Sequence, residues 1–149
     1  MPNILGLRDY EDDRPSEYTL LVNAFRDRTL DKSKWTHEAH LVAGIWHIMN
    51  YSFNDALCRL KSAIISYNIT VGAENTGTNG YHETITIFWL LWIRKFIDSH
   101  LHLAYKEMCD AFLASDFNNK NAPFDFYTKD KLLSMKARAM YVEPDVKEI

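Results

Sequence analysis

The sequence predicts an all-α protein, a single-domain bundle of five to six helices, and three observations support this prediction. Pro and Gly, which most often interrupt helices, number only four and five in 149 residues. Long stretches repeat apolar residues at spacings of three and four, the period of a helix with one buried face. A chain of this length can bury one core, so we expect one domain over residues 1–149, with extended ends at 1–15 and 143–149. The large apolar side chains expected in that core are Trp46, Phe88, Trp89, Leu91 and Trp92.

Capping residues and the apolar period set the predicted helix boundaries. Thr36 is a good N-cap, and Ser52 with Asp55 three residues later approximates a capping box. The stretch 115–127 is interpreted as a linker, and the loop at 70–80 is long enough to indicate a functional role. The predicted helices cover residues 17–28, 37–50, 53–69, 81–97, 100–114 and 129–141, the fifth being either separate or a bent continuation of the fourth.

Composition and charge disfavour several classes of protein. The net charge is −3, and no Lys/Arg cluster stands out, so we expect no nucleic-acid partner. The longest apolar run, Ile87 to Ile93, is far shorter than the ~20 residues that span a bilayer, so we expect no membrane segment. Cys58 and Cys109 are isolated, which disfavours a disulfide framework. Residues 1–15 are too acidic for a signal peptide, so we expect a cytoplasmic protein, and the sequence leaves homo-oligomer formation open.

Three histidines and a glycine share one face of the predicted second helix. His37, His40, Gly44 and His47 repeat at spacings of three and four, on a helix that is otherwise apolar nearly all round. Imidazoles at i and i+3 can bind one metal ion, so His37 and His40 are candidate ligands. The alternative is that His37 is solvated and His40 is a hydrogen-bonded core residue. Gly44 costs roughly 1 kcal/mol relative to alanine, which indicates a close approach by a backbone or a ligand.

The segment GYHETIT, residues 80–86, opens the predicted fourth helix. His82 lies on its core-directed face, among the free N–H groups of a helix N-terminus. Glu83 either complements the helix dipole or takes part in chemistry. One hypothesis is a divalent metal site of His37, His40 and His82, with or without Glu83; the sequence does not distinguish zinc, iron and manganese. The other makes His82 a general base oriented by Glu83, with a second histidine as the acid.

Three segments together resemble a family of small bacterial all-α proteins to which no activity is assigned. They are WTHEAHLVAGIWHIMN, GYHETITIFWL and LLSMKARAMYVEPD, and they lie between Trp35 and Asp145. The family carries an HxxHL segment, a YHETIT segment and an LxSxxAR…PD tail. The resemblance implies where a shared site lies and not what it does. Its residues would be Trp35, His37, His40, Tyr81, His82, Glu83 and Thr84, with Arg138 and Asp145 from the tail.

These observations predict a polar, histidine-lined pocket between the second and fourth helices. The predicted function is that of a metal-dependent enzyme acting on a small molecule. The alternatives are a non-enzymatic binding or sensor module that uses the same pocket and a purely structural polar network. Arg138 either pairs with an acid or binds a carboxylate or phosphate through its planar guanidinium. The predicted catalytic residues are His82 and Glu83, and the predicted ligand-binding residues are Trp35, Tyr81, Thr84 and Arg138.

Overall fold

A computed structural model describes residues 14–149, and these form an all-α domain. Helices account for 61% of the described residues, and no strand occurs among them. The expectations for residues 1–13 lie outside the described residues. The α-helices are α1 (Glu17–Arg26), α2 (His37–Asn50), α3 (Phe53–Thr70), α4 (Glu83–Asp98), α5 (Tyr105–Leu113), α6 (Lys129–Leu132) and α7 (Met135–Ala139), with 3₁₀ turns at Lys32–Lys34 and Ala122–Asp125.

Side-chain caps explain where most of these helices begin. The hydroxyl of Thr36 accepts a hydrogen bond from the N–H of Ala39, as predicted for the start of α2. Such a cap typically contributes about 1 kcal/mol to stability. The capping box predicted at Ser52 is wrong, because Ser52 makes no side-chain cap bond and Asp55 pairs with Arg59 at 2.9 Å instead.

The second helix is the centre of the bundle, because α1, α3, α4 and α5 all pack against it. Gly44 lies where α4 crosses it. A Cβ on Gly44 would lie 2.8 Å from Cδ1 of Ile93, so the close neighbour is a side chain of α4 and not the backbone or ligand predicted at this glycine. The buried residues of this main core are Val22, Phe25, Leu30, Leu41, Val42, Ala43, Ile45, Leu60, Ile64, Tyr67, Leu90, Ile93, Phe96, Ile97, Met108, Cys109 and Phe112.

The last part of the chain departs most from the sequence-based prediction. The single helix predicted over 129–141 is wrong, because the chain turns at Leu133 and begins a second short helix. The hydroxyl of Ser134 accepts from the N–H of Ala137 and so starts α7. The predicted fifth helix is separate from α4 and begins at Tyr105, after a turn through 99–104.

The segment after α5 folds back over α4 and forms a second, smaller core. Phe88 of α4 is fully buried there, as predicted, and Tyr127 donates its hydroxyl hydrogen to the carbonyl of Val142 at 2.8 Å. The backbone of Val146 bonds to the carbonyl of Phe126, so the tail after Ala139 lies against the domain. Within 14–149, no helix is both long and apolar enough to cross a membrane. The buried residues of this core are Phe88, Ala122, Phe126, Tyr127, Leu132, Ala137 and Val142.

The remaining aromatic side chains predicted in the core pack at its margin. Trp46, Trp89 and Trp92 all contact core residues but keep part of their rings exposed. Trp92 uses its indole N–H to donate to the carbonyl of Phe117 at 3.2 Å. Indole rings often lie at such margins, because one edge is polar and the rest is apolar.

Candidate functional site

A pocket of about 320 Å³ opens between α2, α3 and α4, and it contains two of the predicted site histidines. Trp35, in the turn before α2, forms part of its wall together with Trp89 of α4. None of the described residues that line it carries a carboxylate, an ammonium or a guanidinium group. The lining residues are Trp35, His37, His40, Leu41, Gly44, Leu60, Ile64, Ile85, Thr86, Trp89, Leu90 and Ile93.

His40 is held in the pocket by a ring stack and a backbone hydrogen bond. Its ring lies 3.8 Å from the centre of the Trp35 indole, which in turn stacks on Phe25 at 4.1 Å. Its Nδ1 lies 2.7 Å from the carbonyl oxygen of Thr36. A carbonyl only accepts, so Nδ1 carries the hydrogen and the Nε2 of the neutral ring is left as an acceptor. His40 is solvent-accessible, so this lone pair is available to a molecule in the pocket.

His37 contributes a second imidazole with an unoccupied nitrogen. Its Nε2 is buried and has no hydrogen-bond partner among residues 14–149. The ring packs edge-to-face on Trp89, with centroids 5.3 Å apart. A buried polar atom without a partner typically costs about 1–3 kcal/mol. Because this nitrogen has almost no solvent-accessible surface, a ligand could bond to it and recover part of that cost only after the ring turns toward the pocket.

Both pocket histidines favour the neutral state. Burial lowers the pKa of His37, and the positive charge of Lys120 lowers it further. Crowding by protein atoms lowers the pKa of His40, and the neighbouring His37 adds to this effect, although solvent still reaches the His40 ring through the pocket. At neutral pH the pocket is therefore uncharged as well as mostly apolar.

Thr86 and Trp89 are pocket residues that the sequence-based prediction left out. The hydroxyl of Thr86 donates to the carbonyl of His82 at 2.8 Å, which leaves its oxygen free to accept. Both residues follow His82 on one face of α4, at the i+4 and i+7 positions. The sequence does carry a signal for these two residues. Positions i+4 and i+7 lie on the same helix face as His82, so they continue the face predicted to point toward the core.

The structure does not place His82 with His37 and His40. His82 is the N-cap of α4, where its Nδ1 accepts from the N–H of Ile85 at 3.1 Å. Its Nε2 donates to the carbonyl of Leu132 at 2.9 Å, so both ring nitrogens are occupied. Burial lowers its pKa, and the charge of Arg138 acts in the same direction. Both ring nitrogens of His82 are therefore bonded within the protein, and its roles as a metal ligand and as a general base stay predictions.

The carboxylate of Glu83 contacts Tyr81 and Lys61, and the catalytic role predicted for it stays a prediction. Its carboxylate accepts hydrogen bonds from the Tyr81 hydroxyl at 2.8 Å and from the Lys61 ammonium group, and none from His82. It also lies in the first turn of α4, where a negative charge complements the helix dipole. Burial and the bond to Glu83 raise the pKa of Tyr81. Glu83 and Tyr81 thus form a polar contact with α3, and neither lines the histidine pocket.

The other predicted site residues fasten the C-terminal segment to the start of α4. The hydroxyl of Thr84 is fully buried, donates to the carbonyl of Met140 and accepts from the N–H of Val142. Arg138 donates to the carbonyl of Gly80 at 2.8 Å, so it binds backbone and no acid. We call this contact the C-terminal seam; its residues are Gly80, His82, Thr84, Leu132, Arg138, Met140 and Val142.

Asp145 and His47 also lie outside the pocket. Asp145 accepts from the backbone N–H and the hydroxyl of Thr128, at 2.8 and 2.6 Å, and so pins the tail to the cap of α6. His47 is buried, and its Nδ1 donates to the carbonyl of Ala43. Within residues 14–149, no three or more His, Cys, Asp or Glu side chains are grouped so as to hold a metal ion.

Comparison of the chain with models of known protein families, with curated proteins and with solved structures gives no match. The resemblance carried by the three sequence segments therefore stays a prediction. Function has to be inferred from the pocket and the side chains that line it.

Proposed function

We propose that the protein binds a small, uncharged and largely apolar molecule that carries a hydrogen-bond donor, in the pocket between α2, α3 and α4. The observation that carries this proposal is the accessible Nε2 of His40, an acceptor in an apolar pocket. The donor group of the ligand, such as a hydroxyl, would bond to that nitrogen. Rotation of the His37 ring would add a second polar contact through its Nε2, which is buried and has no partner among residues 14–149.

The dimensions and walls of the pocket support a small, flat ligand. About 320 Å³ is near the lower end of the range typical of small-molecule sites. Trp89 presents aromatic surface, on which planar apolar groups pack well, and Trp35 adds a ring edge because His40 and Phe25 cover its faces. Trp35 is itself fixed by its stack on Phe25, with ring planes 9° apart, so this wall is preorganised.

The absence of charge in the pocket lining supports a neutral ligand. A bound carboxylate or ammonium group would lose its hydration without gaining a charged partner from the described lining residues. A hydroxyl group pays a smaller desolvation penalty, because one hydrogen bond to His40 replaces much of its bonding to water. Specificity would then rest on the position of the donor group.

Three probes of one shape test this proposal: 2-naphthol, 2-methoxynaphthalene and 2-naphthoate, with binding measured by calorimetry and by NMR. We expect 2-naphthol to bind about tenfold more tightly than 2-methoxynaphthalene, the equivalent of one good hydrogen bond, and 2-naphthoate to bind least. His40→Phe keeps a ring against Trp35 but removes the acceptor, so it should abolish the preference for 2-naphthol. His102→Ala, at an exposed position away from the pocket, is the matched control. Equal binding of all three probes, or none by any, would contradict the proposal.

A metal-dependent enzyme acting on such a molecule is the second function that we propose. The observation that favours it is that His37 and His40, one helical turn apart, both have Nε2 atoms without a partner in residues 14–149. A divalent ion bound there would have two protein ligands, with the remaining positions left to substrate or water. Metal analysis and calorimetric titration with Zn²⁺ and Mn²⁺, on protein without a histidine tag, test this. Binding that His37→Ala removes would support it, and no binding by the unmodified protein would overturn it.

A further inference from the structure

A second cleft, of about 400 Å³, lies where the end of α1 meets α2 and α3, and its lining is strongly basic. Three arginines and a histidine from three parts of the chain converge there, although the whole protein carries a net charge of −3. None of the described lining residues is acidic. The lining residues are Arg26, Arg28, His47, Cys58, Arg59, Ser62, Ala63 and Ser66. We propose that this cleft binds a phosphate group, either free or as the monoester of a small molecule.

The backbone of Arg28 gives the first reason. It has φ of 62°, in the left-handed region, and is the only described non-glycine residue there. It occupies the turn that ends α1, where its N–H bonds to the carbonyl of Phe25 and the next N–H bonds to the carbonyl of Ala24. Glycine is the usual residue at such a position, because other side chains are strained in this conformation. This strained backbone belongs to a residue that lines the cleft, and strain of this kind clusters at ligand-binding sites.

The other two guanidinium groups lie over aromatic rings. The Cζ of Arg26 lies over the ring of Trp46, and the Cζ of Arg59 lies over the ring of Tyr51, each 4.4 Å from the ring centre. A guanidinium that stacks by its face keeps its N–H edges free, and these edges match the oxygen atoms of a phosphate. Arg59 uses its Nε to bond to Asp55 at 2.9 Å, which leaves its two terminal nitrogens.

The positive charge in the cleft is only partly balanced. Among residues 14–149, neither Arg26 nor Arg28 forms an ion pair, and Asp55 is the one acid paired with a lining residue. His47 is 1% exposed, and the charges of Arg26 and Arg59 lower its pKa, after the larger effect of burial. A bound dianion would relieve this repulsion and accept hydrogen bonds from the hydroxyls of Ser62 and Ser66. Phosphate is the group whose charge and oxygen atoms fit such a set of donors.

A cysteine in the lining provides a measurement that does not depend on any activity. Cys58 lines the cleft and is exposed, whereas Cys109 is fully buried and its pKa is raised to about 12 by that burial. Alkylation by neutral iodoacetamide should therefore occur at Cys58. We expect inorganic phosphate and glycerol 3-phosphate to slow this alkylation saturably, while sodium chloride at the same ionic strength does not. The probe that protects at the lower concentration identifies whether free phosphate or a monoester is preferred.

Arg28→Gly separates binding from folding. It removes one guanidinium and relieves the left-handed strain, so we expect the melting temperature to stay the same or rise. Phosphate protection of Cys58 should weaken by about tenfold, the loss of one charge-assisted hydrogen bond. Arg94→Gln, which removes an exposed arginine outside the cleft, should leave protection unchanged. Protection of Arg28→Gly at wild-type phosphate concentrations, or no saturable protection of the unmodified protein, would overturn the proposal.

Discussion

The histidine pocket and the C-terminal seam use the same residue types in opposite ways. In the seam, both nitrogens of His82 and both bonding capacities of the Thr84 hydroxyl are occupied by other parts of the chain. In the pocket, one nitrogen of His40 and one of His37 have no partner among the residues that the structure describes. A histidine whose bonds are all made within the protein stabilises the fold, whereas one with a free nitrogen can act on something else.

Replacing each of the two histidines by alanine should give the largest contrast between these regions. His82→Ala removes the cap of α4, worth about 1 kcal/mol, and leaves the carbonyl of Leu132 without its donor, at a further cost of about 1–3 kcal/mol. We therefore expect the free energy of unfolding to fall by about 2–4 kcal/mol. His40→Ala should cost less, because its ring is solvent-accessible and, within the described part of the chain, bonds to the carbonyl of Thr36 alone.

Urea unfolding of both variants measures the difference in stability. Titration with 2-naphthol measures the loss of ligand binding, which should be larger for His40→Ala. His82→Ala should retain binding under conditions where it is folded, and His40→Ala should lose it. A stable His82→Ala variant that no longer binds 2-naphthol would place His82 in the functional site, against the seam geometry.

The hydroxyl of Thr84 should make the next largest contribution to the seam. Thr84→Val keeps the shape of the side chain but leaves the carbonyl of Met140 and the N–H of Val142 without partners. We expect the free energy of unfolding to fall by about 1–3 kcal/mol. Thr84→Ser retains the hydroxyl and is the matched control. Its free energy of unfolding, measured by the same urea titration, should fall less than that of Thr84→Val. If the Thr84→Val and Thr84→Ser variants are equally stable, the hydrogen bonds from Thr84 to the tail contribute little to stability.

Acid should weaken the fold through its buried histidines, His82 of the seam among them, before it affects the carboxylates. Burial lowers the pKa of His82 and of His47 below the 6.5 of a free imidazole, so the unfolded chain binds more protons than the folded one. The stability gained from these neutral rings is complete above pH 6.5 and is lost as pH falls through the lower, folded-state pKa values. Urea unfolding between about pH 5 and 8 should show this loss. His82→Asn should make the dependence on pH shallower, and His102→Asn should leave it unchanged.

The fold was more predictable from the sequence than the site was. Helix α2 carries its own boundary signal, the Thr36 cap, and its own apolar period, so its limits were predicted correctly. The split after Leu132 was missed because Ser134 starts a new helix in a stretch that keeps a helical period. Both α2 and the stretch 129–141 keep a helical period. They differ in that a second capping residue, Ser134, lies inside the stretch 129–141 and divides it into two helices.

The same reasoning predicted only part of the candidate site. The i and i+3 spacing of His37 and His40 follows from one helix, and the structure puts both in one pocket. The position of His82 depends on the C-terminal segment, since the carbonyl of Leu132 lies fifty residues away along the chain. No pattern around GYHETIT indicates that partner. A histidine beside a glutamate at a helix start therefore suggested chemistry, although its contacts are structural.

Gly44→Ala should have the smallest effect on stability and the clearest effect on the pocket. Alanine is favoured over glycine in a helix by roughly 1 kcal/mol, but its Cβ would lie 2.8 Å from Cδ1 of Ile93, which must move aside. These effects oppose each other, so we expect the free energy of unfolding to change by less than about 1 kcal/mol. The methyl group and the displaced Ile93 both intrude on the pocket lining, so 2-naphthol should bind more weakly. Calorimetry and urea unfolding on the same sample separate the two effects. Lower stability with unchanged 2-naphthol affinity would mean that Gly44 serves the packing of α2 on α4 and not the pocket.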